Sequence, residues 1–245
     1  MLAVILLLGA PEVEKGAAVV LASLVQAARE NQQLAVPRQG RELSVRLVSA
    51  AARAAAKLPE KERAPALLLA LGIGLDRSAL MRKNPVTAFA WRRIEDDKAR
   101  AARLAVLGTP TLHGREDLMQ HFAVSCALTV VLDAKKAESA GLVKELLDAQ
   151  PGGSGFSFAD LAADYSGVAF AEWLKAKPDR LEGLAAKGDL AAFCVPPRGL
   201  EADLGIEEFH HRFGGVKDKR FLEAVAKLRK RIAALPGFNP PASDR

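Results

Sequence analysis

Residues 117–132 read DLMQHFAVSCALTVVL, and residues 141–167 read GLVKELLDAQPGGSGFSFADLAADYSG. Both segments are apolar at helical spacing, yet each carries polar side chains among residues that a helix would bury. A polar group that leaves water loses free energy unless it finds a hydrogen-bond partner. This stretch therefore predicts helices that pack around a polar site.

The rest of the chain also favours helices over strands. Half of its 245 residues are hydrophobic but only 5% are aromatic, and Ala, Leu, Lys, Arg and Glu are helix formers. Apolar residues recur at helical spacing over 11–29, 41–58, 62–82, 87–107 and 218–235. We predict an all-α fold, with the apolar helix near 67–75 packed on a central three-helix unit and the charges of 87–107 on an outer face.

The sequence is predicted to divide into three segments. Residues 1–10, MLAVILLLGA, resemble the apolar core of a signal peptide but lack its cationic start. The same residues would also suit a first helical turn in the core. Residues 11–238 are predicted to form a single multi-helix domain, and residues 239–245 a disordered tail.

The first helix of the central stretch, near 116–132, carries a polar stripe. Asp117, His121 and Ser125 are spaced i, i+4, i+8 and so lie on one face. A neutral imidazole among apolar neighbours needs hydrogen-bond partners. His121 is therefore expected to be either a histidine with partners in the core or a ligand in a site.

Four carboxylates follow on the next two predicted helices. Glu145 and Asp148 are spaced i, i+3, and Asp160 and Asp164 are spaced i, i+4. Asp160 and Asp164 at this spacing repel each other unless a cation or a donor lies between them. Glu145 and Asp148 share one helix face, which is either solvated or buried. Ser157 is expected to cap the third helix, in a capping box that has Asp160 instead of the usual Glu or Gln.

If the three helices meet, the imidazole and the carboxylates converge. His121, Glu145, Asp148, Asp160 and Asp164 would then be candidate ligands of a divalent metal such as Zn, Mn, Fe or Mg. All of these except Asp160 are also candidate acid–base groups. The spacing names no reaction, because the sequence has neither HExxH nor a duplicated ExxH.

Two alternatives accompany this site. Lys144 would neutralise part of its charge, which would leave a buried ion-pair network that fixes helix packing without catalysis. A serine hydrolase is disfavoured, because GGSGF around Ser154 has Phe156 where a nucleophile elbow needs Gly.

Charge and cysteine content indicate which binding partners and which cysteine state to expect. The net charge is +6, but the basic residues are dispersed and few aromatics accompany them, so nucleic-acid binding is unlikely. The basic final helix, 217–231, would suit an anionic membrane surface. Cys126 and Cys194 have no metal-ligand spacing, and two buried thiols are favoured over a disulfide, which would require export.

The central stretch also resembles a family pattern. It contains HFxxSxxL at 121–128, KExxD at 144–148 and SFxDLxADxxG at 157–167. This pattern resembles that of the YfiM-like bacterial envelope lipoproteins and, more distantly, of VanZ-like membrane proteins. The resemblance implies a periplasmic or envelope-associated bacterial protein, although no lipobox cysteine follows the apolar start.

The functional expectation is therefore a helical, envelope-associated protein whose buried His/carboxylate site binds a metal or catalyses hydrolysis. The alternative is a non-enzymatic structural or interaction protein in which the same residues fix how three helices pack. The sequence leaves open whether the protein is an enzyme.

Overall fold

A computed structural model describes residues 11–239, and twelve α-helices form the framework of that range. They are α1 Pro11–Gln32, α2 Gly40–Ala55, α3 Glu60–Leu75, α4 Leu80–Lys83, α5 Ala88–Ile94, α6 Asp97–Val106, α7 Glu116–Val131, α8 Ala134–Asp148, α9 Phe158–Ala176, α10 Arg180–Lys187, α11 Ile206–Phe213 and α12 Lys219–Ala233. The described residues include no β-strand, only isolated bridges. The all-α prediction is confirmed.

Two predicted segments fall outside this range. The signal-like residues 1–10 and all but the first residue of the tail predicted at 239–245 lie beyond the described residues. Between residues 11 and 239, no helix has the length and apolar character needed to cross a membrane.

Helix α7 organises the main core. It packs against α3 and α9, and α8 lies against both α7 and α9. Helices α1 and α2 pack with α3, and α10 packs on α2. The predicted three-helix unit is thus α7, α8 and α9, and the apolar helix expected to pack on it is α3.

Two glycines allow the helices around α7 to approach closely. A Cβ atom on Gly72 of α3 would overlap the side chain of Ala127, and a Cβ on Gly167 of α9 would overlap the backbone oxygen of Phe122. Any side chain at these positions would push the helices apart, because packed cores have almost no spare volume. The close approach fixes how deeply the polar face of α7 is buried.

A second, smaller core holds the C-terminal helices. Its buried aromatic residues are Phe156, Phe158, Tyr165, Phe209 and Phe221. The apolar face of α12 belongs to this core, since Phe221, Leu228 and Ile232 are buried. The basic face of α12 is left exposed, while its apolar face packs inside the protein.

The helix predicted over 87–107, with its charges outside, is wrong in two respects. The chain is extended at Glu95, and Asp96 caps a new helix, α6, by accepting from Ala99 N. Glu95 and Arg103 are buried rather than exposed, and they are joined by an ion pair of 2.7 Å between Arg103 Nε and Glu95 Oε1. The break turns Glu95 inward to this partner.

The helix predicted over 62–82 also ends early. Helix α3 stops at Leu75, and the carboxylate of Asp76 accepts hydrogen bonds from Ser78 N at 2.8 Å and Ser78 Oγ at 2.7 Å. Such local side-chain bonds compete with the helical backbone. Asp76 and Ser78 therefore form the turn at which α3 ends.

Candidate functional site

Three helices bring an imidazole and two carboxylates together. His121 lies on α7, Glu145 on α8 and Asp164 on α9, and one ligand atom from each lies within 4.8 Å of the other two. All three residues are buried. The faces that the sequence assigned to a polar site therefore meet in the folded protein.

Asp164 holds one side of the imidazole. Its Oδ1 lies 3.1 Å from His121 Nδ1 and accepts a hydrogen bond of 2.8 Å from Ser125 Oγ. His121 Nε2 lies on the other side of the ring, 3.8 Å from Asp160 Oδ2. The imidazole thus stands between two like charges of α9, which is where a donor is needed.

Ser125 is not paired with a base. Its hydroxyl donates to the carboxylate of Asp164 rather than to the imidazole of His121. A serine nucleophile needs a base within hydrogen-bond reach of its hydroxyl. The arrangement therefore positions Asp164 and does not form a serine triad.

The second oxygen of Asp164 has no hydrogen-bond partner among the described residues. Asp164 Oδ2 is fully buried, and a Cβ on Gly141 of α8 would lie only 2.6 Å from it. Gly141 therefore makes the space in which this oxygen lies. A buried carboxylate oxygen without a partner is costly unless a cation or a proton donor reaches it.

Glu145 links the site to the start of α9. Its Oε2 accepts a hydrogen bond of 3.0 Å from the backbone N–H of Ser157, whose own Oγ accepts from Asp160 N at 3.1 Å. In an ordinary capping box, the backbone N–H of the cap residue donates to the side chain three positions later. Because Glu145 accepts the N–H of Ser157 in place of Asp160, the carboxylate of Asp160 faces His121 and Arg115.

Burial and charge shift the proton affinities of the site. For His121, burial disfavours the charged ring most strongly, but the charge and hydrogen bond of Asp164 outweigh it and raise the pKa to about 9. Burial raises the pKa of Glu145 to about 7, against the opposing effect of Lys144. Burial also raises the pKa of Asp160. The site therefore favours an added positive charge, whether a proton or a cation.

Two further acids lie at the rim. Asp148 forms an ion pair of 2.6 Å with Lys144, and Asp117 pairs with Arg115. Both acids are more exposed than Glu145 and Asp164, and neither belongs to the group of converging ligand atoms. Of the predicted metal ligands, Asp148 and Asp160 are thus outside this group, although Asp160 Oδ2 lies 3.8 Å from His121 Nε2.

Two residues of the site had no clear signal in the sequence. Arg115 bonds to Asp160 at 3.0 Å, yet it reads as a loop residue before a helix. Gly141 reads as a weak point in a helix, although its position one turn before Glu145 places it on the same face.

The cysteines and remaining histidines lie elsewhere. Cys126 and Cys194 are free and buried, as favoured from the sequence. His210 and His211 are exposed, and His113 is partly buried with its Nε2 2.9 Å from the Cys194 carbonyl oxygen.

Comparisons with family models, with curated proteins and with solved structures gave no match. The resemblance of residues 117–167 to envelope families stays a prediction. The site is therefore interpreted from its own chemistry.

Proposed function

We propose that the polar site binds one divalent metal ion through His121, Glu145 and Asp164, with Asp160 as a further donor on the solvent side. The observation that carries this proposal is Asp164 Oδ2, a buried carboxylate oxygen without a hydrogen-bond partner. It belongs to a residue whose ligand atoms converge with those of an imidazole and a second buried carboxylate. A cation at this point would satisfy the oxygen and offset the charge of the acids.

The donor set indicates the class of metal. One imidazole nitrogen with several carboxylate oxygens suits Zn, Mn or Fe, and no cysteine thiol belongs to the converging group. Four protein donors at most would leave room for water on an ion that prefers six ligands. Hydrolytic or acid–base chemistry in an envelope-associated protein would use those groups that do not bind the ion, because an atom that binds a metal ion cannot carry a proton at the same time.

A structural role is the second candidate, and a specific contact favours it. Lys144 lies 3.2 Å from Glu145 Oε1, and Ser157 N donates to Glu145 Oε2, so this carboxylate already has partners of its own. A buried ion-pair network of this kind would fix the packing of α7, α8 and α9 without any ligand.

Equilibrium dialysis against Mn²⁺ or Zn²⁺, followed by metal analysis, separates the two candidates. We expect the full chain to retain one ion, and His121→Ala and Asp164→Asn to lose it. Glu172→Gln is a matched control, because Glu172 is an exposed acid of α9 that pairs only with Lys175 among the described contacts. If the folded protein retains neither ion, the metal proposal is wrong and the structural role stands.

A further inference from the structure

Two cationic side chains flank the solvent side of the site. Arg115 directly precedes α7, and Lys144 lies on α8 beside Glu145. Their side chains are 36% and 35% exposed, whereas the acids beneath them, Asp160 and Glu145, are 15% and 0% exposed. The rim therefore carries two cations paired with the outer acids Asp117 and Asp148, above an interior of buried carboxylates.

Each rim cation bridges one inner and one outer carboxylate. Arg115 bonds to Asp160 inside at 3.0 Å and to Asp117 outside. Lys144 bonds to Glu145 inside at 3.2 Å and to Asp148 outside at 2.6 Å. The two cations thus make the same kind of bridge, although Arg115 precedes α7 and Lys144 lies within α8.

A bound metal ion would change the contacts of both rim cations. A divalent ion bound to Asp160 and Glu145 would compete with the rim cations for the negative charge of the same two carboxylates. The outer acids, Asp117 and Asp148, still hold Arg115 and Lys144 in place. Both cations would then keep free N–H donors at the solvent side of the metal.

The N–H groups of Arg115 and Lys144 lie close to the side chains that are proposed to bind the metal. Asp160 uses Oδ1 for Arg115 and has Oδ2 3.8 Å from His121 Nε2, so a single carboxylate separates the guanidinium from the imidazole. Lys144 contacts Glu145 directly. Arginine binds oxyanions through two parallel N–H bonds, and lysine binds them as a point charge.

We propose that the metal-loaded site binds a small oxyanion, the phosphate or carboxylate group of a ligand, between the metal and the side chains of Arg115 and Lys144. This inference rests on the proposed metal site. It assigns the ligand class that the rim selects, an anionic oxygen group, which bonds at once to the metal and to the two cations.

Isothermal titration of the full chain with inorganic phosphate, and separately with acetate, tests the inference. The protein is first loaded with the ion, Mn²⁺ or Zn²⁺, that it retains in dialysis. We expect one oxyanion per chain, bound only after metal loading. Arg115→Met and Lys144→Met should each weaken binding about ten-fold or more, the loss of a charge-assisted bond, while each variant still retains the metal.

Matched controls change the same charge elsewhere. Lys136→Met removes a lysine from the same helix, paired with Asp133, and Arg212→Met removes an exposed arginine paired with Glu201. Both controls should bind the anion as the wild type does. The assignment of residues fails if the controls weaken binding as much as the rim variants.

Other outcomes separate the two proposals. If the protein retains metal but binds neither phosphate nor acetate, the oxyanion inference is overturned and the metal site stands. The same holds if anion binding is independent of metal. If no metal is retained, both proposals fall. A preference for one anion over the other identifies the group of the natural ligand.

Discussion

The buried carboxylate of Glu145 accepts a hydrogen bond of 3.0 Å from the backbone N–H of Ser157, the residue that caps the next helix. The same carboxylate belongs to the group of ligand atoms with His121 and Asp164. A ligand that binds Glu145 would therefore also change the hydrogen bond at the N-terminus of α9. The start of α9 and the polar site are one structural unit.

The first prediction concerns the charge of Glu145. Its pKa is raised from 4.5 to about 7, so the folded state favours the neutral form and stability declines as the pH rises from about 4.5 through 7. Glu145→Gln keeps an oxygen that accepts from Ser157 N but carries no charge. At pH 8 in EDTA, we expect the variant to be more stable to urea by about 1–3 kcal/mol.

The same variant has an internal control. At about pH 3.5 and below, Glu145 is largely neutral in both states, so the variant and the wild type should unfold at similar urea concentrations. A destabilised variant at pH 8 would show that the ionised carboxylate contributes more through Lys144 than burial costs it.

The second prediction concerns the imidazole. The pKa of His121 is raised from 6.5 to about 9, so its ion pair with Asp164 stabilises the fold fully below about pH 6.5 and is lost as the pH rises through 9. Urea unfolding of metal-free protein at pH 7 and pH 9.5 should show a loss of about 1–3 kcal/mol. In His121→Gln this loss should be absent, and an equal loss in both proteins would contradict the assignment.

The third prediction concerns the glycine beside Asp164. A Cβ at position 141 would lie 2.6 Å from Asp164 Oδ2 and 3.0 Å from Asp164 Cβ, so α8 and α9 must move apart. We expect Gly141→Ala to destabilise the protein by about 1–3 kcal/mol in urea, a typical cost of overpacking, and to abolish metal retention.

Gly183→Ala is the control for that change. Gly183 lies within α10, and a Cβ there would meet nothing within 4 Å. Alanine should stabilise this helix by up to about 1 kcal/mol through its higher helix propensity. If both alanine variants are equally stabilised, the contact between Gly141 and Asp164 does not constrain the fold.

The fourth prediction concerns the basic helix α12. Its apolar face is buried through Phe221, Leu228 and Ile232, so contact with a membrane would use its charged face alone. We expect no sedimentation with neutral vesicles and salt-sensitive sedimentation with anionic vesicles. Replacing the exposed Lys227 and Lys230 with Gln should weaken sedimentation with anionic vesicles. An absence of binding to anionic vesicles at low salt would contradict the prediction.

Helical periodicity predicts much of this fold because it depends on local sequence. It predicts the helix that carries His121, and the i, i+4 spacing of Asp160 and Asp164 predicts that both can reach one imidazole. It does not predict that Asp148 lies at the rim, since that depends on the angle between α8 and α9. Neither does it predict that Glu145 completes the cap of Ser157, because that bond joins two helices.

Burial of charge was the least predictable property. Arg103 is 1% exposed, although its segment reads as an amphipathic helix with its charges outside. Its partner Glu95 is eight residues away, and their contact requires the break between α5 and α6. A helical pattern gives no signal for such a break when the capping residue, Asp96, stands within a run of charges.

The last prediction uses this second buried network. Glu95 pairs with Arg103 and with Arg82 at 2.7 Å each, and Arg103 Nη1 also donates to the carbonyl of Gly74 at 2.9 Å. Glu95→Ala would leave the buried guanidinium of Arg103 without its carboxylate and that of Arg82 with only Asp97, at 3.1 Å. We expect a loss of about 3–5 kcal/mol in the free energy of unfolding, the usual effect of breaking a buried ion pair.

This loss should be independent of the candidate site. The exposed acid Glu182 of α10 provides the control, and Glu182→Ala should change stability by no more than about 0.5 kcal/mol. At a temperature where Glu95→Ala is still folded, it should retain the same metal per chain as the wild type, because none of its contacts reaches His121. Metal loss in folded Glu95→Ala would mean that the network around α6 helps to shape the site after all.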